Sequence, residues 1–192
     1  WIGLMGLALW WLAGRDVLRA LAMVAFVPIA VEFWSRNVHL FLAVLVVLAL
    51  RRVGPAFAVA AAVKVSPGLG LVWAAVRGRW RDAAVIAAVG LVMLIVSVAI
   101  APDQWLGWID YMAAQDPWAQ SSFLGIAFPV RAGVAAVLTV LAARIAGWRG
   151  EALLVAAITF ALPSLWVTGL SLLAAVVPLY RTRAEAPAEP AA

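Results

Sequence analysis

The run Ala83-Ala-Val-Ile-Ala-Ala-Val-Gly-Leu-Val-Met-Leu-Ile-Val-Ser-Val-Ala-Ile-Ala101 decides the fold class of this chain. It contains no charged side chain and is close to the roughly 20 apolar residues that a helix needs to cross a bilayer. The same character extends through the sequence, which is 67% hydrophobic with a mean hydropathy of +1.07. A water-soluble fold needs a polar exterior, so these values predict an all-α, multi-pass transmembrane helical bundle.

Further apolar stretches lie on both sides of this run. They are Trp1–Ala13, Ala20–Phe33, Leu40–Leu50, Gly54–Val76, Phe123–Ala146 and Leu153–Tyr180. The first is short and has no initiator methionine, so we expect the chain to be the C-terminal part of a longer protein. We predict one transmembrane domain over residues 1–183 and a disordered tail over residues 184–192, which are rich in Ala, Pro and Glu.

The arginine clusters set the predicted orientation. The chain carries 14 Lys and Arg against 9 Asp and Glu, and these charges fall between apolar runs, as in positive-inside membrane proteins and unlike a nucleic-acid-binding face. The clusters that favour the cytoplasm are Arg51/Arg52, Arg77–Arg81, Arg144/Arg149 and Arg181/Arg183. The arginine-free stretch Pro102–Ser122 then forms an outer loop. With no cysteine and one histidine, thiolate chemistry is excluded and no metal site is expected.

Two segments, Gly54–Val76 and Leu153–Tyr180, have basic clusters at both ends and a proline near the middle. In one interpretation each is a re-entrant hairpin, with its outward tip at Lys64–Pro67 or at Pro163–Trp166. Each arm would then have about 11–15 residues and reach roughly 16–22 Å, so the tip would lie inside the membrane. In the other interpretation each is one kinked spanning helix, and an arginine cluster breaks the charge rule. Both interpretations predict proline-broken helices.

Five short sequence blocks follow one another in a recognisable order. They are Arg36-Asn37-Val38-His39, Ala61-Ala-Val-Lys64-Val-Ser66-Pro67 with the following Arg77–Arg81, Ala101-Pro102-Asp103-Gln-Trp105, Gln120-Ser121-Ser122-Phe-Leu-Gly125 and Pro163-Ser-Leu-Trp166. Their order and spacing resemble those of glycosyltransferase family 87 over about residues 28–180. The chain departs from that pattern at three places: His39 and Gln120 or Ser121 stand where Asn is usual, and Val167–Gly169 where a His often follows the Trp.

The resemblance implies a function as well as a fold. The family contains GT-C mannosyltransferases, so we expect transfer of mannose from a polyprenyl-phosphate donor to a glycolipid or glycan acceptor. The site would face outward from the cytoplasmic membrane and need no metal or cofactor. The catalytic acidic residue is expected upstream of Trp1, so no catalytic base is assigned in this chain. A secondary transporter, which also uses charges at broken helices, and a non-catalytic membrane scaffold are the alternatives.

Lys64 and Arg131 are the cations that we predict to bind the donor phosphate. An ionisable group inside an apolar segment costs roughly 2.5–3.5 kcal/mol, so by default it indicates function. An ammonium group acts as a compact point charge toward phosphate. The structural alternatives are that Lys64 snorkels to the interface or pairs with Glu32 or Asp103, and that Arg131 snorkels or forms an ion pair.

Several polar residues are predicted to bind substrate, namely Asn37, His39, Asp103, Gln120 and Ser122. Asn37 and His39 could bind sugar hydroxyls or phosphate, and Asp103 could bind acceptor hydroxyls or a divalent cation. Gln120 and Ser122 enter only through the resemblance of their block. The alternatives are a helix cap for Asn37 or Asp103 and an interfacial position for His39.

Glu32 is unusual near the end of an apolar segment, and we expect it to pair with Arg36 one helical turn later. The chain also contains 11 tryptophans. We interpret most of them as anchors at membrane interfaces. Three of them, Trp105, Trp108 and Trp118, lie in the predicted outer loop and are candidates for stacking on a sugar.

Overall fold

The computed structural model describes residues 1–51, 53–116, 118–119 and 122–184. Its α-helices are α1 (Ile2–Leu12), α2 (Val17–Val24), α3 (Val27–Ser35), α4 (His39–Arg51), α5 (Ala56–Val63), α6 (Leu69–Val76), α7 (Trp80–Ile100), α8 (Pro102–Ala113), α9 (Phe128–Arg144), α10 (Gly147–Phe160) and α11 (Val176–Ala184). Two 3₁₀ helices, Ser66–Gly68 and Val167–Ala175, complete the series. The predicted all-α class is confirmed. The predicted disordered tail lies outside the described residues, except that Ala184 ends α11.

Helix α4 occupies the centre of the molecule. Its buried residues are His39, Leu40, Leu42, Ala43, Val46, Val47 and Ala49. It packs against α1, α5 and the second 3₁₀ helix, so apolar side chains surround it on most sides. A helix that is apolar around most of its circumference is stable only in such a position.

Helix α7 contains the run with which the sequence analysis began. Among the described residues it is the one continuous helix that is long and apolar enough to cross a membrane. Its 21 residues extend about 31 Å. Only 11% of its most apolar 18-residue stretch is buried inside the protein. Helices α2 and α3 qualify as a second span only if they are joined across a bend of 80°. The multi-pass arrangement therefore stays a prediction.

The segment Gly54–Val76 folds back on itself. Helix α5 ends at Val63 and α6 begins at Leu69. The ring of Phe57 lies against Gly70, so closely that a Cβ placed on Gly70 would come within 2.3 Å of it, and Ala61 lies beside Gly68. In one continuous helix residues 57 and 70 would be about 20 Å apart. Helices α5 and α6 therefore form an antiparallel hairpin, the first hairpin, with Lys64 near its tip.

The segment Leu153–Tyr180 also folds back. Helix α10 ends at Phe160, and the chain resumes after a break in the second 3₁₀ helix and α11. The rings of Trp148 and Tyr180 stack edge to face with centroids 5.1 Å apart, and α10 packs against α11. The two ends of this second hairpin are therefore neighbours. Both breaks lie where the prolines predicted them.

The predicted outer loop is largely helical. Helix α8 begins at Pro102, immediately after α7, and has no buried residue. Asp103 lies in its first turn, but its side chain does not cap the helix. Among the described residues beyond α8, Ser122 and Leu165 form a parallel bridge, and Phe123 N donates to Leu165 O at 3.0 Å. This pairing fixes the end of the loop to the second hairpin.

Candidate functional site

The tip of the first hairpin places Lys64 where its side chain meets several other elements. Pro67 has no N–H to donate to the Val63 carbonyl, so α5 cannot continue through it. Lys64 ends the helix with an extended backbone, φ −147° and ψ 132°, while its N–H still donates to Ala60 O. The side chain is partly buried and leaves the hairpin toward α4.

A chain of polar groups runs from α3 through α4 to this tip. Lys64 Nζ lies 2.8 Å from His39 Nε2. On the other side of the ring, His39 Nδ1 lies 3.6 Å from Glu32 Oε2. Glu32 and His39 are both buried, with 0% and 2% of their surface exposed. We call these three residues the Glu–His–Lys chain.

Glu32 is held in place by the start of α4. Its Oε1 accepts a hydrogen bond of 2.9 Å from Leu40 N, which is one of the helix N–H groups that have no partner within the helix. A carboxylate at a helix N-terminus is also favoured by the helix dipole. Arg36, the partner expected for Glu32, adopts a left-handed conformation that ends α3 and is exposed. The expected pairing of Glu32 with Arg36 is therefore wrong.

An apolar groove of ≈ 960 Å³ begins beside Lys64. Its walls are the first hairpin and one face of α7, where Ile86, Gly90 and Leu94 follow one another at helical spacing. Lys64 is the one charged side chain among the described residues that line it. The groove is thus apolar along the rest of its lining and has a lysine side chain at its wall.

Two tryptophans of α8 close one part of this groove. Trp105 and Trp108 both line it, with ring centroids 5.6 Å apart in an edge-to-face arrangement. Trp105 Nε1 donates to Ser97 Oγ at 3.0 Å, which fixes the indole across the junction of α7 and α8. Indoles with an apolar body and one polar contact are typical of sites that hold an amphipathic ligand.

Arg131 lies at the second break and not in the groove. Its side chain is completely buried, and its guanidinium donates to four backbone carbonyls, those of Ile126, Phe160, Leu162 and Pro163, at 3.1, 3.1, 2.6 and 2.9 Å. Three of these carbonyls belong to the end of α10 and the break after it. Arg131 therefore satisfies acceptors that the proline break leaves without helical donors.

Two of the other predicted site residues, Asn37 and Ser122, contact the region of the second break. Asn37 accepts from Val38 N at 2.9 Å and donates to Thr168 Oγ1 at 3.4 Å, so it joins the start of α4 to the second hairpin. Ser122 is buried and accepts from Leu124 N at 3.1 Å. Asp103 is exposed. Gln120 lies outside the described residues.

The model of glycosyltransferase family 87 matches residues 1–191, which is almost the whole chain. The chain belongs to glycosyltransferase family 87. Membership of family 87 makes it a glycosyltransferase, with a sugar donor and an acceptor as substrates. No curated protein and no solved structure matches it.

In this family 87 chain, sequence reasoning missed Glu32 as a member of the site. The available signal was a carboxylate seven positions before a histidine, both at the edges of apolar runs. It also missed the groove, because the α7 residues that form it are ordinary apolar side chains. Only the adjacency of the hairpin and α7 gives them a shared function.

Proposed function

We propose that this chain transfers mannose from a polyprenyl-phosphate donor to a glycolipid or glycan acceptor at the outer face of the cytoplasmic membrane. The observation that supports the donor assignment is the apolar groove that Lys64 lines as the one charged residue among the described lining residues. A polyprenyl phosphate has the same two parts, a long apolar chain and one anionic head. The sugar itself, mannose, rests on the resemblance to family 87 mannosyltransferases.

Lys64 is the residue that we propose to hold the donor phosphate. An ammonium has three N–H donors, and the one directed at His39 leaves others for phosphate oxygens. When the acceptor hydroxyl displaces the phosphate from the sugar, negative charge develops on that leaving group. A fixed cation beside it stabilises the transition state more than the ground state, which is the condition for catalysis.

The remaining predicted residues take different parts in this proposal. Asn37 lies next to the Glu–His–Lys chain and keeps its proposed contact with the donor head. Asp103 stays a proposed contact of the acceptor, since α8 carries it beside groove-lining Gln104 and Trp105. Gln120 stays a proposed substrate-binding residue through the resemblance of its block. For Arg131 and Ser122 the hydrogen bonds described above support a positioning role, so we no longer propose that either binds substrate. No catalytic base is assigned.

The alternatives weighed from the sequence are less well supported. A secondary transporter would also place charges at broken helices, but membership of a glycosyltransferase family favours an enzyme. A non-catalytic scaffold would not need a groove with a charge at its wall. The Glu–His–Lys chain beside the groove favours a site that binds an ionic ligand.

Binding of a polyprenyl phosphate to the purified protein in lipid nanodiscs tests this proposal. We expect Lys64→Ala to weaken binding by at least about tenfold, since a charged hydrogen bond contributes about 1.5–3 kcal/mol. Arg19→Ala removes an exposed cation that pairs with Asp16 and is the matched control. Equal affinity of Lys64→Ala and the parent protein would refute the phosphate role. Mannose transfer from the corresponding mannosyl polyprenyl phosphate to an acceptor, with release of polyprenyl phosphate, then tests the reaction.

A further inference from the structure

We infer that Glu32 and His39 are positioning residues, which orient the ammonium of Lys64 toward the head of the ligand in the groove. This inference rests on the proposed function, because it concerns the same ligand. Glu32 and His39 are almost completely buried, so neither is placed to touch a substrate directly. Their effect reaches the ligand through Lys64.

The contacts of the ring with its two neighbours favour one tautomer. Among the described residues, Glu32 Oε2 and His39 Nδ1 are buried atoms with no hydrogen-bond partner, and they face each other at 3.6 Å. A proton on Nδ1 is thereby directed at a carboxylate oxygen. In that tautomer Nε2 carries a lone pair and accepts from Lys64 Nζ at 2.8 Å.

The surrounding packing keeps the ring in this orientation. Glu32 is fixed at the start of α4 by Leu40 N, and His39 belongs to the first turn of the same helix. Gly169 of the second hairpin lies over the ring, where an added Cβ would sit 4.0 Å from Nε2. The position of the ammonium therefore depends on α3, α4 and the second hairpin as well as on the tip of the first hairpin.

A lysine side chain that is already held in place binds a ligand more tightly without any additional contact. A free lysine side chain loses much of its rotamer freedom when it binds a ligand. Where Nζ is already held, that loss has occurred on folding, so ligand affinity is higher. The acceptor at Nε2 also occupies one N–H of the ammonium and leaves the other two for a ligand.

Binding of two ligands to the purified protein in nanodiscs tests the inference. The first is a polyprenyl phosphate, and the second is the matching polyprenol, which lacks the phosphate. We expect Glu32→Gln and His39→Leu to weaken binding of the phosphate by about tenfold, while polyprenol affinity changes less than about twofold. His39→Gln should retain phosphate affinity within about threefold, because its amide oxygen can still accept from Nζ.

The background of Lys64→Ala separates positioning from general damage to the fold. There, Glu32→Gln and His39→Leu should cause no further loss, because their effect passes through Lys64. If both variants bind the phosphate like the parent while Lys64→Ala does not, the inference fails and the proposed function stands. If Lys64→Ala itself binds normally, the proposed function fails. Should Glu32→Gln not fold, the comparison of His39→Gln with His39→Leu decides, and equal affinities of those two overturn the inference.

Discussion

A cation lies beside each of the two proline breaks, Lys64 within the first broken segment and Arg131 of α9 against the second, yet the two cations have different environments. Lys64 is partly buried, lies 2.8 Å from one histidine nitrogen and borders a groove of ≈ 960 Å³. Arg131 is completely buried and donates to four backbone carbonyls. The first break exposes its charge to a cavity, and the second surrounds its charge with the chain itself.

This difference shows that a charge in an apolar segment is not by itself a sign of a ligand site. A guanidinium with planar, divergent donors can satisfy several carbonyls at once, so it is suited to support a break. An ammonium can do this less well, and Lys64 has donors to offer a ligand. The arms of the first hairpin are instead held by close packing of Phe57 on Gly70.

The largest expected effect concerns the second break. Arg131→Ala leaves several buried carbonyls without a donor, and each buried acceptor that loses its partner costs about 1–3 kcal/mol. We expect loss of folded protein, measured by thermal unfolding and by yield after size-exclusion chromatography. Arg131→Lys should recover part of the loss. Normal stability of Arg131→Ala would show that the carbonyls do not need this side chain.

The packing of the first hairpin should respond almost as strongly. Gly70→Leu forces a side chain into the position of the Phe57 ring, and overpacking of this kind costs about 1–3 kcal/mol. Phe57→Ala should restore part of that stability in the double variant, because the two side chains then no longer compete for space. Gly133→Ala is the control, since a Cβ there meets nothing within 4 Å. A double variant no more stable than Gly70→Leu would contradict the antiparallel arrangement of α5 and α6.

Lys64→Arg should sharpen the comparison between the two cations. A longer, planar guanidinium cannot reproduce both the contact with His39 Nε2 and the direction of the remaining donors. We expect stability within about 0.5 kcal/mol of the parent, as for substitutions away from a tightly packed core, but reduced affinity for polyprenyl phosphate. Thermal unfolding and ligand binding on the same sample measure both quantities. A stability loss as large as that of Arg131→Ala would show that Lys64, like Arg131, mainly stabilises its break.

The smallest expected effect lies at the contact between the start of α4 and the second hairpin. Asn37 donates to Thr168 Oγ1 at 3.4 Å, which is long for a hydrogen bond. Thr168→Val should therefore destabilise the protein by less than about 1 kcal/mol, as measured by thermal unfolding. Asn37→Ala should cost slightly more, because it also removes the acceptor for Val38 N. If Thr168→Val lowered the free energy of unfolding by more than about 2 kcal/mol, this contact would hold α4 to the second hairpin more strongly than its length indicates.

Local features of the sequence predicted the helices and the position of each break. Apolar runs gave the all-α class, and Pro67 and Pro163 gave the breaks because proline cannot continue the helical hydrogen-bond pattern. The choice between hairpin and kink was not accessible, since it depends on the contact of Phe57 with Gly70 across the break. That contact is a matter of packing and leaves no periodic signal.

The candidate site was predicted only in part, for identifiable reasons. Lys64, Asn37 and His39 stood out as polar groups beside apolar runs, and the structure brings them to one region. Glu32 was given the wrong partner because spacing of four residues assumes a continuous helix, whereas α3 ends where Arg36 turns left-handed at φ 54°. Three of the four carbonyls that Arg131 contacts lie 29–32 positions away, and side-chain patterns carry no information about them.

The open flank of the groove determines the route by which a donor would reach Lys64. Val63 and Val65 of the hairpin and Leu91 and Leu94 of α7 line the groove and are also exposed, so the groove is open along its flank. A prenyl chain already dissolved in a bilayer would enter by lateral diffusion, without first passing through water. The rate of transfer would then follow the mole fraction of donor among the lipids. Diluting the membrane with inert lipid would slow the enzyme even at a constant amount of donor per volume.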